Sequence, residues 1–313
     1  LSEAERTLCT GVHKNCRLHF TRGEPVGRAP APEAAWDAAH FRQQREKNRA
    51  YYRAHLVENK LAIAQLTQKL QNTLLLRAED EGGTGRAGRL RPELAWRAGA
   101  LGDARVFSRR SPQEPGELSV DLLLDGSASR LHCQETIAAQ GYILAKSLAD
   151  CGIPVRVSSF CSLRGYTVLR VLKDFGDKNG ERKGFDYFAA GWNRDGLALR
   201  AMGELMKSAP ADKHLLILLT DASPDDSHKI LPTGKVPLSR DYDGQVGVED
   251  TADEVRALRR KGVRVAAVFM GENANVPNAR AIYGQDLAPI RRMDQLSAAA
   301  GRLIQTEIRE LSG

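Results

Sequence analysis

The sequence predicts an α/β protein, a doubly wound, mostly parallel sheet preceded by a helical region. Three observations predict it. Beyond about residue 118, short apolar runs alternate with stretches of helical periodicity. Before them lies a long segment free of Gly and Pro that carries a single apolar stripe. Two of the apolar runs end in acidic, hydroxyl-rich turns, which is where open α/β sheets bind ligands.

The elements follow in order. Residues 1–30 hold the cluster CTGVHKNCRLHFTRG and then GEPVGRAPAP, a Pro/Gly-rich connector. From Glu33 to Glu81, Leu56, Ile63, Leu66, Leu70 and Leu74 recur at spacings of three, four and seven, the apolar face of a helix. Continuous, it would reach roughly 70 Å; a broken helix or a helical hairpin fits the pattern equally well. EGGTGRAGR, residues 81–89, ends it, and Pro92 opens a short helix. Leu118 to Asp125 reads as a buried strand and Leu131 to Ala149 as a helix. Val155 to Cys161 and Tyr166 to Leu172 read as a strand hairpin. Asp195 to Lys207 is a helix, His214 to Asp221 an apolar strand, and Val263 to Met270 another. Thr251 with Glu254 forms a capping box that would open a helix, and Met293 to Leu311 is the last helix. The domain division is 1–115, helical and basic, and 116–313, α/β.

Composition narrows the class. With 42% hydrophobic and 27% charged residues over 313 positions, the chain can bury a sizeable core. No apolar run approaches the ~18 residues of a membrane helix, so no membrane partner is expected. The chain opens on Leu1 rather than Met, as a fragment would, and shows no apolar signal-peptide core. Five thinly spread cysteines read as reduced thiols, and a cytoplasmic location is expected. Residues 1–110 carry 20 Lys and Arg against 12 Asp and Glu, while the rest is nearly balanced. That excess suits nucleic acid, an acidic membrane or an acidic protein surface. It equally suits a solvated Arg-rich helical surface, and no nucleic-acid motif accompanies it.

The chemistry sits in VDLLLDGSASR and LLILLTDASPDD. The first places Asp125, Ser127 and Ser129 on alternate positions just past a strand end, and the second places Asp221 at the end of another strand. Hydroxyl and carboxylate oxygens converging there are the ligands that Mg²⁺ (or Mn²⁺) prefers. Either loop alone has an ordinary explanation: Ser129 as a helix cap near Arg130, Asp221 as the start of a turn. Both loops together, in this strand order, argue for a metal site.

On these residues the stretch from about Ser119 to Leu311 resembles a von Willebrand A domain with its metal-ion-dependent adhesion site. The resemblance implies direct metal contact by Ser127 and Ser129, with Asp125 and Asp221 matching the first and third loops. In the second loop, GWNRDGLALR places Asn193 where the family has a threonine and Asp195 two residues on. Asn193 is therefore expected nearer the ion than Asp195, an arrangement similar to the cobalt-chelatase subunit branch. LTQKLQNTLLL, DARVF, SVDLLLDGSASR and GVEDTADEVRALRRKGVRV together resemble bacterial nitric-oxide-reductase activation proteins, over most of the chain beyond residue 60. That resemblance implies a MoxR-type AAA+ ATPase as partner and a role in activating a metalloenzyme or inserting its metal.

Catalysis is not expected. A haloacid-dehalogenase-type nucleophile needs a second acid two residues after Asp125, where Ser127 stands. There is neither a Gly-x-Ser-x-Gly elbow nor a P-loop. Cys9, His13, Cys16 and His19 are of zinc-binding type, but on one helix Cys9 and His19 would lie about 15 Å apart, so zinc needs a break near Gly11. Ala222 to Gly247 reads as a long loop after Asp221, suited to rimming the site. The expectation is a non-enzymatic adaptor whose protein partner supplies a carboxylate to the metal; the alternative is a nucleic-acid-associated protein using its basic front.

Overall fold

The computed structural model describes residues 2–23, 32–81, 84–86, 89–90, 92–108, 118–234, 236–292 and 295–310. Most of the connector at 23–32, parts of the 81–89 segment and Met293 lie outside them. In chain order the elements are α1 (Ser2–Leu8), β1 (Arg17–Thr21), α2 (Pro32–Ala54), α3 (Leu56–Glu81), β2 (Thr84–Gly85), β3 (Arg89–Leu90), α4 (Ala95–Ala100) and β4 (Phe107–Ser108). Then follow β5 (Leu118–Asp125), α5 (Gln134–Asp150), β6 (Val155–Leu163), β7 (Tyr166–Lys173), α6 (Asp195–Met206), β8 (Lys213–Thr220), β9 (Asp226–Ile230) and β10 (Arg240–Tyr242). The chain closes with α7 (Gly244–Arg260), β11 (Val263–Phe269), α8 (Val276–Tyr283), β12 (Leu287–Pro289) and α9 (Leu296–Glu310).

Seven strands form one sheet in the order β1-β7-β6-β5-β8-β11-β12. It is mostly parallel; β6 and β7 form the expected antiparallel hairpin. Successive side chains of a strand face opposite sides, and the sheet buries both. Val120, Leu122 and Leu124 of β5, with Leu215, Ile217 and Leu219 of β8, pack under α3, α5 and α9. Leu123, Leu216 and Leu218 pack on the other side against α6, α7 and α8. A sheet buried on both faces has near-continuous apolar strands, as LLILL shows.

The chain leaves β5 to build β6 on one side and later returns to build β8 on the other. This topological switch opens a crevice beyond the carboxyl ends of β5 and β8. Asp125 and Asp221 stand there.

The front of the chain is tied into this core. The long helix breaks once, at His55, into α2 and α3. Leu66 and Leu70 are fully buried against α5 and α9, and Leu74 packs beside them, whereas Leu56, read as part of the same stripe, is exposed. From α2, the Asn48 amide donates to the carbonyls of Phe185 and Tyr187, 2.9 Å each. Arg17–Thr21, expected in the helical region, instead extends the sheet: β1 pairs with β7 from Arg17↔Tyr166 to Thr21↔Arg170.

Thr251 does not open a helix: α7 begins at Gly244, and the Thr251 hydroxyl donates back to the Gly247 carbonyl at 2.7 Å from mid-helix. Val248, Ala252, Val255 and Leu258 make an apolar face that starts before Thr251 and carries the helix across it. The stretch after Asp221 is not a plain loop, since β9 and β10 pair antiparallel within it. Among the described residues no helix is long and apolar enough to cross a membrane.

Candidate metal centre

The first loop is shaped by crowding. β5 is buried along its whole length and delivers Asp125 to the crevice. Gly126 then presses on the end of β6, its N–H donating to the Phe160 carbonyl at 2.8 Å and its carbonyl accepting from Ala190 N–H at 2.7 Å. A Cβ there would stand 2.8 Å from the Phe160 oxygen, so only glycine fits. Asp125 Oδ1 accepts the Ser127 N–H at 2.9 Å, which bends the chain into a 3₁₀ turn, and the Asp125 carbonyl accepts the Tyr187 hydroxyl.

Neither serine caps a helix. Ser127 occupies the cap position of the 3₁₀ turn without making a side-chain cap bond. Its hydroxyl lies 2.8 Å from that of Ser129, which donates to Asp221 Oδ2 at 2.8 Å. Asp221 does begin a turn, its Oδ1 accepting Ser223 N–H at 3.2 Å. Ala222 next to it has φ +52°, a left-handed conformation unusual for a residue with a Cβ.

The second loop is stitched to the first and to the turn after β8. Ala128 N–H donates to the Gly191 carbonyl at 2.8 Å, and Trp192 exchanges backbone bonds with Ser162 at the end of β6. Asn193 exchanges backbone bonds with Asp225. Its side-chain amide donates to Asp195 Oδ1 and the Ser223 carbonyl, 3.0 Å each, and its Oδ1 accepts Asp225 N–H at 3.3 Å. Asn193 is thus used at both ends to hold the loop, while Asp195 keeps one oxygen unused.

The electrostatics are those of an acidic cluster out of water. Burial, then the neighbouring Asp221 charge, pushes Asp125 up to about 7. Burial, then Asp125 and Asp221, holds Asp195 well above the usual carboxylate range. Oδ2 of Asp125 and Oδ2 of Asp195 are buried without a hydrogen-bond partner among the described residues. Buried carboxylate oxygens in that condition suit a cation, and with the two hydroxyls they make the all-oxygen set of a hard divalent ion. Among the described residues no three His, Cys, Asp or Glu side chains gather as a metal site by themselves; an ion here depends on the serine oxygens as well.

Arg130 was not singled out from sequence. It is buried, and it donates to Asp221 Oδ2, to the Met270 carbonyl at 2.9 Å and to Ser129 Oγ at 3.3 Å. Its place directly after Asp-Gly-Ser-Ala-Ser was the available signal. Arg194, between Asn193 and Asp195, is likewise fully buried and pairs with Asp226 at 2.9 Å.

The four zinc-type residues do not come together. Strand alternation turns Leu18 inward and leaves His19 exposed on β1. Cys16 is buried among apolar side chains with Cys9 at their margin, and burial pushes the Cys16 thiol up to about 12, away from the thiolate that zinc requires. His13 is engaged by Arg194 and lies 3.3 Å from Asp250.

No protein-family model matches the chain. It is 30% identical to protein NorD of Brucella abortus (strain 2308) over 199 residues, 60% of this chain and 29% of that protein. It is also 30% identical to protein NorD of Stutzerimonas stutzeri over 125 residues, 39% of this chain and 18% of that one. The chain therefore spans less than a third of the length of these relatives. Among solved structures, the vWF domain of the type V pili tip protein Mfa5 from Porphyromonas gingivalis aligns with TM-score 0.44 and 11% identity, covering 63% of this chain and 97% of that one. With its seven-stranded, mostly parallel sheet and its loops at the β5/β8 crevice, the chain has a von Willebrand A-type fold, and over the matched residues it is similar to NorD.

Proposed function

We propose that the chain is a non-enzymatic, metal-dependent protein-binding adaptor. Mg²⁺ (or Mn²⁺) would be held by Ser127, Ser129, Asp125, Asp221 and Asp195, with Asn193 bracing the second loop. The observation that carries this reading is the pair of buried, unpartnered carboxylate oxygens on Asp125 and Asp195 beside two strand-end hydroxyls. When bound, the ion supplies a positive centre to which an acidic side chain of a protein partner adds a ligand. The residues of this chain orient that centre: Asp125 fixes the first loop through Ser127 N–H, and Asp221 positions Ser129.

The likeness to NorD supports an accessory role rather than a catalytic one. We extend it to a MoxR-type AAA+ ATPase as partner and to activation, or metal insertion, of a metalloenzyme. A cytoplasmic setting belongs to the same proposal, and five free cysteines fit it. Metal and partner should each strengthen the other's binding, because one completes the other's coordination. The test is a pull-down from the native cell with and without EDTA, followed by partner affinity in Mg²⁺ and in EDTA for wild type and Asp221→Ala. Only wild type in Mg²⁺ should bind tightly. Equal affinity in all four conditions would end the adaptor reading.

A further inference from the structure

Arg130 holds the oxygens that a metal would need. Its side chain is 8% exposed and its planar guanidinium is used on three sides: Nη2 on Asp221 Oδ2, Nε on Ser129 Oγ, Nη1 on the Met270 carbonyl. The Ser129 hydroxyl is thereby saturated. It has one proton and two lone pairs; the proton goes to Asp221, and the lone pairs face Ser127 Oγ at 2.8 Å and Arg130 Nε at 3.3 Å. A metal reaches this oxygen only in place of one of those neighbours. A hydroxyl can turn its proton aside, but a guanidinium carries its charge at every working pH. Of the two neighbours, the one a divalent ion repels is the arginine.

We propose that Arg130 is a tethered cation that occupies Ser129 and Asp221 in the metal-free protein, weakens the affinity of the site, and is driven off these oxygens when the ion binds. This rests on the metal-site reading above. Arg130 also bridges to Met270, the residue just past β11, so its release unfastens the first loop from the end of a third strand. Ion binding is thereby reported at the surface by an arginine side chain that was buried. Arg130 acts here through the oxygens it occupies; it sets affinity and is not itself a ligand.

The alternative role has the opposite sign. If Arg130 served to orient Asp221 for the ion, its removal would weaken binding. The experiment is titration calorimetry with Mn²⁺ on the full chain, comparing wild type, Arg130→Gln, Arg130→Met and Arg130→Lys. The two neutral variants should bind at least tenfold more tightly, about 1.4 kcal/mol, with Arg130→Lys near wild type. A second measurement uses only wild type: phenylglyoxal labelling of Arg130, read by peptide mass spectrometry, should be slow in EDTA and fast in Mn²⁺. Unchanged or weaker Mn²⁺ affinity in both neutral variants overturns the proposal, as does labelling that Mn²⁺ fails to accelerate. If the neutral variants do not fold, the labelling decides. Absence of Mn²⁺ binding in wild type and variants alike would instead remove the metal site, and this inference with it.

Discussion

Arg194 and His13 meet across 181 residues of sequence, the arginine Nε donating to the imidazole Nδ1 at 3.0 Å. The arginine continues to Asp226, to the carbonyls of Val12 and His228, and over the Tyr242 ring, so the start of the chain is fastened to the loop that carries Asn193 and Asp195.

That fastening predicts a pH effect. Burial, then the charges of Arg200 and Arg194, lowers the His13 pKa to about 2. The unfolded chain takes up this proton near pH 6.5, so the contribution of His13 is complete above that pH and is lost progressively as pH falls towards 2. His13→Gln keeps an acceptor for Arg194 and removes the titration. Urea unfolding at pH 7 and pH 5 should show a smaller loss for the variant; equal losses would refute it.

Asp125 has the reverse sign. Its folded pKa, raised to about 7, means that the metal-free fold prefers the protonated acid, and this stability is lost as pH rises from about 4 through 7. In EDTA at pH 8, Asp125→Asn should melt above wild type. With Mn²⁺ added the order should invert, because only wild type gains from the ion. A variant less stable than wild type in EDTA would mean that the carboxylate is not under strain.

Direct ligation can be read by calorimetry. Ser127→Ala with Ser129→Ala should abolish Mn²⁺ binding and leave the far-ultraviolet circular dichroism unchanged, since among the described residues the two hydroxyls bond to each other, to Asp221 and to Arg130. Asp195→Asn should cost at least tenfold in affinity, and Asn193→Ala less than that, because Asn193 braces the loop while Asp195 keeps an unpartnered oxygen. The reverse ranking would restore Asn193 as the nearer ligand.

A stability prediction concerns the sheet itself. Arg156 on β6 donates to Asp121 on β5 at 2.6 Å, with both side chains buried, and burial pushes Asp121 up to about 6 even beside the guanidinium. Removing one partner strands the other. Arg156→Ala is expected to cost about 3–5 kcal/mol in chemical denaturation, whereas Arg156→Met with Asp121→Leu should recover most of it.

The strands that build the crevice were legible because a strand buried on both faces leaves an unmistakable apolar run, as in LLILL and VDLLL. Asp125, Ser127, Ser129 and Asp221 followed from their places at the ends of those runs. Three things were hidden. β1 is short and half polar, and RLHFT signals a strand only once β7 supplies its partner. The start of α7 is hidden because Thr251 and Glu254 imitate a start signal, while the true start at Asp243 and Gly244 looks like a turn. Arg130 and Arg194 carry no local mark, since nothing beside them in the sequence shows that a distant carboxylate will bury them.

The strand at residues 17–21 has a consequence for synthesis. It leaves the ribosome long before β7, and Arg17 must wait for Tyr166. At roughly 5–20 residues per second that delay is about 7–30 s. Through it the Arg17–Thr21 segment has no strand to pair with, and once β6 and β7 emerge the β7 edge is open until the segment returns. An unpaired edge invites association with another chain. Yields of native protein should therefore depend on how well that early segment is shielded, and a chaperone that holds extended apolar-polar peptides would act on it first.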